Sequence, residues 1–174
     1  MKIQWRAALS AGLALSLAAG VAAAAQLADK KALTLELAKQ MALAAEKEAS
    51  GNKWTMVIAV LDDGGNLLYL ERMDETQIGS IEVAIQKARS ALAFKRPTKA
   101  FEDAVAGGRV AVLKLPGAMP IEGGVPILVD GKVIGAIGVS GGTSQQDGLV
   151  AKAGADALAA ARSEERRVGK ECRL

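Results

Sequence analysis

The segment that most resembles a catalytic motif is Gly138-Val139-Ser140-Gly141-Gly142, a G-x-S-x-G pattern between an apolar strand-like run and a helix. A serine there needs a general base, and the chain contains no histidine; lysines and carboxylates are all it can offer. The glycines by themselves let a strand turn sharply into a helix, so the motif is read as structural. The backbone N–H groups of the same turn suit a carboxylate or phosphate, in the generic way of any helix N-terminus. The lack of histidine also removes Ser-His-Asp and Cys-His catalysis, histidine-bound zinc and a histidine-ligated heme iron. The lone Cys172 makes neither an internal disulfide nor a thiolate cluster.

Three other places carry usable side chains. In Arg72-Met73-Asp74, an arginine and an aspartate two apart on a strand share a face. They form either a local ion pair or an anion clamp beside the Met73 thioether. Lys87 and Arg89 fall on a helix and are expected to be exposed. Phe94 and Phe101 flank Lys95-Arg96-Pro97-Thr98, which sets two aromatics and two cations beside a rigid break. Such a place suits a flat anionic ligand, and core packing explains the aromatics equally well.

The elements that position these groups follow from periodicity. Apolar residues recur at helical spacing over 34–48, and Gly51-Asn52 ends that helix. Residues 54–61 are β-rich and apolar on both faces, as a strand covered on two sides must be. A turn at Asp62-Asp63-Gly64-Gly65-Asn66 returns the chain as a partner strand over 67–73. A second helix spans 78–94 and stops before Pro97; Thr98 is placed to cap a short third helix ending at Gly107-Gly108. Residues 109–115 fit either a strand or an extended connection. A second hairpin, 125–129 and 132–140, turns at Asp130-Gly131, and Thr143-Ser144-Gln145-Gln146 forms a capping box opening a last helix to Ala161. Two hairpins separated by helices give an α+β fold, an antiparallel sheet with helices on its faces.

The 174 residues suffice for one domain, and 51% apolar residues argue against disorder. With only 3% aromatics, the core is built from Ala, Val, Leu and Ile. Residues 1–25 have the form of a cleavable export signal: Lys2 and Arg6, an alanine-rich apolar run, then Ala22-Ala23-Ala24-Ala25. The mature protein is accordingly expected to be periplasmic or secreted, with no membrane attachment after cleavage. Residues 163–174 break abruptly into mixed charge, resemble the translation of a sequencing adapter, and are set apart as a sequence artefact or a disordered tail. The remaining domain, 26–162, holds 16 basic and 16 acidic residues, so the net charge of +3 comes from the ends. A neutral domain has no electrostatic footprint for nucleic acid.

One resemblance draws these pieces together. Val57-Ile58-Ala59-Val60-Leu61-Asp62-Asp63-Gly64-Gly65-Asn66, Glu71-Arg72-Met73-Asp74, Ser80-Ile81, Lys87-Ala88-Arg89 and Arg96-Pro97-Thr98 appear in family order. Gly123-Gly124-Val125-Pro126-Ile127, then 131–141 and Asp147, complete the pattern. The stretch 33–159 resembles the GlcG/HbpS heme-binding family, a domain also found at the C-terminus of some corrinoid adenosyltransferases. The resemblance implies a profilin-like antiparallel sheet of about five strands between helices, self-assembly into homo-oligomers, and heme capture or sensing in exported members. It also implies a heme contact for the threonine after the second helix, which corresponds to Thr98. Some members use a histidine toward the iron, and here an axial ligand has to be Met, Tyr, Lys, a hydroxyl or water.

The resulting expectation is an exported heme-binding protein without turnover, taking heme or a similar small anionic ligand. Thr98 is the iron-side contact, Arg72 or Lys87 pairs the propionates, and Met73, Phe94 and Arg96 complete the site. Two other readings stay open: a ligand-free oligomeric scaffold or accessory subunit, and an enzyme acting on a small carboxylate with Lys87 or Asp74 as acid or base.

Overall fold

The computed structural model describes residues 30–171; the expected export signal at 1–25 and the last three residues lie outside that range. Helix α1 (Leu35–Gly51) is opened by Thr34, whose hydroxyl accepts from the Leu37 N–H at 3.3 Å. Strands β1 (Val57–Asp62) and β2 (Leu67–Arg72) form the first hairpin. Its turn is held by Asp62, whose Oδ1 accepts from the N–H groups of Gly64 and Asn66 at 2.8 Å each. Helices α2 (Gly79–Phe94) and α3 (Lys99–Ala106) follow, then a 3-10 turn at Val110–Lys114. The second hairpin is β3 (Gly124–Val129) with β4 (Lys132–Ser140), and α4 (Ser144–Glu171) closes the chain.

The sheet is antiparallel with strand order β2-β1-β4-β3, and helices cover both faces. Four strands stand among the described residues where the resemblance implied about five. The undecided segment 109–115 winds into the 3-10 turn because it buries only Val112 while Val110 and Leu113 face outward, so it has no apolar face to lay on a sheet. The last helix also runs past its expected end at Ala161, since the charged residues beyond it are good helix formers with no glycine or proline until Gly169.

The scarcity of large side chains sets how close the layers lie. Ala59, Gly138 and Gly124 are cross-strand neighbours on β1, β4 and β3, a lane almost without side chains. Helix α2 settles into it: a Cβ on Gly138 would lie 2.0 Å from the Ala84 carbonyl oxygen, and one on Gly124 would lie 2.2 Å from that of Lys87. On the other face, α1 and α4 pack Met41, Ala45, Val150 and Leu158 against Ile58, Val60, Ile137 and Val139. The last helix opens on the expected capping box. The Thr143 N–H donates to Gln146 Oε1 at 2.9 Å, and the Gln146 N–H donates to Thr143 Oγ1 at 3.3 Å.

Candidate functional site

Lys87 was expected on an exposed helix face and is instead 1% exposed, pressed between α2 and the start of α4. Its ammonium donates to Asp147 Oδ2 at 2.6 Å and to the Val139 carbonyl at 3.1 Å, while Asp147 Oδ1 accepts from the Gly142 N–H at 3.0 Å. Burial pushes the Asp147 carboxyl above its usual range, and the bond from Lys87 pulls it back only in part. Buried in this pair, the Lys87 ammonium faces the interior, unlike the exposed lysines of α3 and α4. The glycines of the serine motif therefore serve a buried ion pair, and Ser140 itself donates to Ser80 Oγ at 3.3 Å.

Thr98 stands at the start of α3 but does not cap it. Its hydroxyl accepts from the Gly124 N–H at 2.9 Å, and its own N–H donates to the Gly124 carbonyl at 3.0 Å. Gly124 turns both backbone groups away from β4, so Thr98 closes the outer edge of β3, and Pro126, two residues along, has no N–H to leave open there. The Thr98 side chain is fully buried and its hydroxyl is bonded to the strand edge.

Arg72 and Met73 do not join Thr98. They end β2, and β1 and β4 intervene between β2 and β3. Arg72 pairs with Val57, on the α2 face, whereas Met73 packs into the opposite core with α1 and α4. Asp74 beside them is exposed. Phe94 and Arg96 do converge: Phe94 meets Phe101 edge-on with centroids 5.1 Å apart, and the Arg96 guanidinium lies 5.7 Å from the Phe101 centroid.

Beside Pro97 and Gly124, a groove of about 470 Å³ opens between β3 and α4. Its walls are aliphatic, with Val125, Ile127 and Leu128 on one side and Ala155, Leu158 and Ala159 on the other. Two cations line it: Lys99, paired with Asp103 at 2.7 Å, and Lys152, paired with Asp156 one helical turn on. Glu122 lines the same groove and escaped the sequence analysis. Its backbone N–H donates to the Glu102 carboxylate, which also accepts from Ser144 Oγ at 2.9 Å and so ties α3 to α4. Burial raises the Glu122 carboxyl, with Lys99 opposing and Glu102 and Asp103 adding to the rise. The signal available was an acid directly before Gly123-Gly124. A second groove, about 720 Å³, lies at the β3–β4 turn with Lys30, Lys31, Lys95 and Lys132 around Val129 and Val133.

Among the described residues no helix is long and apolar enough to cross a membrane, and no cluster of His, Cys, Asp and Glu forms a metal site. Residues 33–156 match the family described as "Haem degrading protein HbpS-like". Protein GlcG of Escherichia coli K12 is 45% identical over 111 residues, which cover 64% of this chain and 83% of GlcG. The corrinoid adenosyltransferase PduO of Salmonella typhimurium is 31% identical over 120 residues, 67% of this chain but 36% of PduO. In three dimensions, the crystal structure of the PduOC:heme complex superposes with a TM-score of 0.67 at 30% identity, covering 73% of this chain and 95% of that one. The chain belongs to the HbpS-like family, which includes GlcG and takes in a heme-binding relative.

Proposed function

We propose that this protein binds heme in the groove between β3 and α4, as an exported carrier, store or sensor without turnover. The observation that carries this is an apolar groove with a cationic rim, on a chain that shares its fold with a heme complex. A tetrapyrrole needs apolar walls, cations for its propionates and a donor toward the iron. The aliphatic sides of β3 and α4 answer the first need and Lys99 and Lys152 the second. Thr98 contributes at one remove, by fixing Gly124 in the groove wall. Bound heme would supply iron and a visible chromophore, and the protein's part is to exclude water from it and hold its carboxylates.

Hemin titration followed at the Soret band tests this. The parent should give a saturable band distinct from free hemin. Ala159→Trp, which fills an exposed position in the groove, should abolish the band while leaving thermal unfolding unchanged. Lys132→Glu, in the other groove, should leave it intact. A parent spectrum identical to free hemin would sink the reading. The description of the family as haem degrading favours a second reading, in which bound heme is opened; bleaching of the Soret band under reductant and oxygen, dependent on the protein, is its mark. Export rests on the pattern of residues 1–25, and a periplasmic or secreted species beginning near Gln26 is the outcome expected by mass spectrometry.

A further inference from the structure

The groove at the β3–β4 turn has no part in the heme reading, yet it is the larger of the two, at about 720 Å³, within the range of small-molecule sites. Leu128 and Val133 face each other across the hairpin there, and Leu128 is 54% exposed, so an aliphatic strip lies open to the groove. The register slips between Ile127 and Leu128 and leaves Ile134 without a cross-strand partner, a bulge of the kind that bends a strand end and re-aims its side chains. Four lysines surround this strip. Lys30 and Lys31 are paired with Asp63 and Asp130. The ammonium groups of Lys95 and Lys132 form no hydrogen bond or ion pair among the described residues.

Lys95 holds its place against a backbone preference. It closes α2 at φ +52° and ψ +39°, a left-handed position where glycine or asparagine is usual. Glycine would make the same turn without strain, so what the lysine adds is its side chain, which borders this groove. We propose that the groove binds an aliphatic phosphate monoester, with its chain along Leu128 and Val133 and its head between Lys95 and Lys132. The charge count selects the head: two uncompensated ammonium groups match a phosphate monoester, which carries close to two negative charges at neutral pH, better than a single carboxylate. The open strip selects the tail, because inorganic phosphate would leave its apolar surface in water.

Isothermal titration calorimetry of the purified protein with dodecyl phosphate, kept below its micelle concentration, tests this. One molecule should bind per chain, about tenfold more tightly than dodecanoate and more weakly as salt rises, while inorganic phosphate gives no saturable heat. Lys95→Gly relieves the left-handed position, so it should keep or raise the unfolding temperature and still weaken binding about tenfold. Lys132→Gln should weaken it similarly, and the two together should abolish it. Lys152→Gln, in the heme groove, should change nothing. Dodecanoate binding as tightly as the phosphate would overturn the charge match, and full binding by the Lys95→Gly, Lys132→Gln double variant would overturn the site. That double variant should take up hemin as the parent does; loss of hemin along with dodecyl phosphate would give this groove to heme and end the proposal. Sedimentation with phosphatidic acid vesicles, without one-to-one binding of dodecyl phosphate, would assign the lysines to a membrane surface instead.

Discussion

Thr98 shows how a residue can stand at the right place for a different reason. A hydroxyl behind a proline, between two aromatics, marks it in the sequence as a residue with a task. The partner that defines the task, Gly124, lies 26 positions away on another element, beyond the reach of local pattern. Thr98→Val keeps the volume and orphans the buried Gly124 N–H, so it should cost about 1–3 kcal/mol of stability in urea unfolding. Retention of full stability would mean that water reaches that edge. Glu122 was hidden for a similar reason: an acid directly before Gly123-Gly124 does not by itself announce that β3 and α4 meet around it. Glu71 offers a check on burial at the opposite edge. Burial raises its carboxyl and Glu46 adds to the rise, against the bond from the Tyr69 hydroxyl at 3.1 Å. A carboxyl raised by folding binds its proton more tightly in the native state, so stability falls as pH climbs from the ordinary glutamate range through the raised value. Glu71→Gln should therefore be more stable than the parent at neutral pH and flatter across that window. Equal slopes in the two proteins, measured by chemical unfolding at several pH values, would assign the dependence to another group.

Elements were the most legible level, because hairpin turns and helix caps are local. Asp62 to Asn66, Asp130-Gly131 and the reciprocal bonds of Thr143 and Gln146 are each complete within five residues. What joins the elements was not legible: Lys87 and Asp147 are 60 positions apart, and an amphipathic pattern places a lysine outside by default. Their pair locks α2 to the first turn of α4 directly over the glycine lane. Removing one partner leaves a buried charge, so Lys87→Met should cost about 3–5 kcal/mol at neutral pH. The loss should shrink as pH falls, because Asp147 without its ammonium can shed its charge by protonation. Lys87→Met combined with Asp147→Leu should recover most of the stability. A double variant as unstable as the single one would show that the pair specifies the helix positions rather than merely neutralising itself.

At the scale of the whole molecule, the connection from α3 to β3 carries the feature that one chain does not explain. Val110 and Leu113 of the 3-10 turn are 64% and 58% exposed, and Leu115 and Ile121 farther along are each 41% exposed. Exposed aliphatic side chains gathered along one stretch suit burial against another surface. The domain 26–162 is neutral overall, so net charge does not oppose association of like copies. We infer that this connection seats a second copy of the chain, in keeping with the self-assembly implied by the family pattern. Sedimentation of the mature protein at micromolar concentration should give a mass of at least two chains. Val110→Asp with Leu113→Asp should shift it to one chain while leaving the fold intact, since neither side chain contributes to the described core, and should lower the unfolding temperature through loss of the mass-action contribution of assembly. A parent that sediments as a single chain, or a double variant that assembles as the parent does, would remove the interface from this surface.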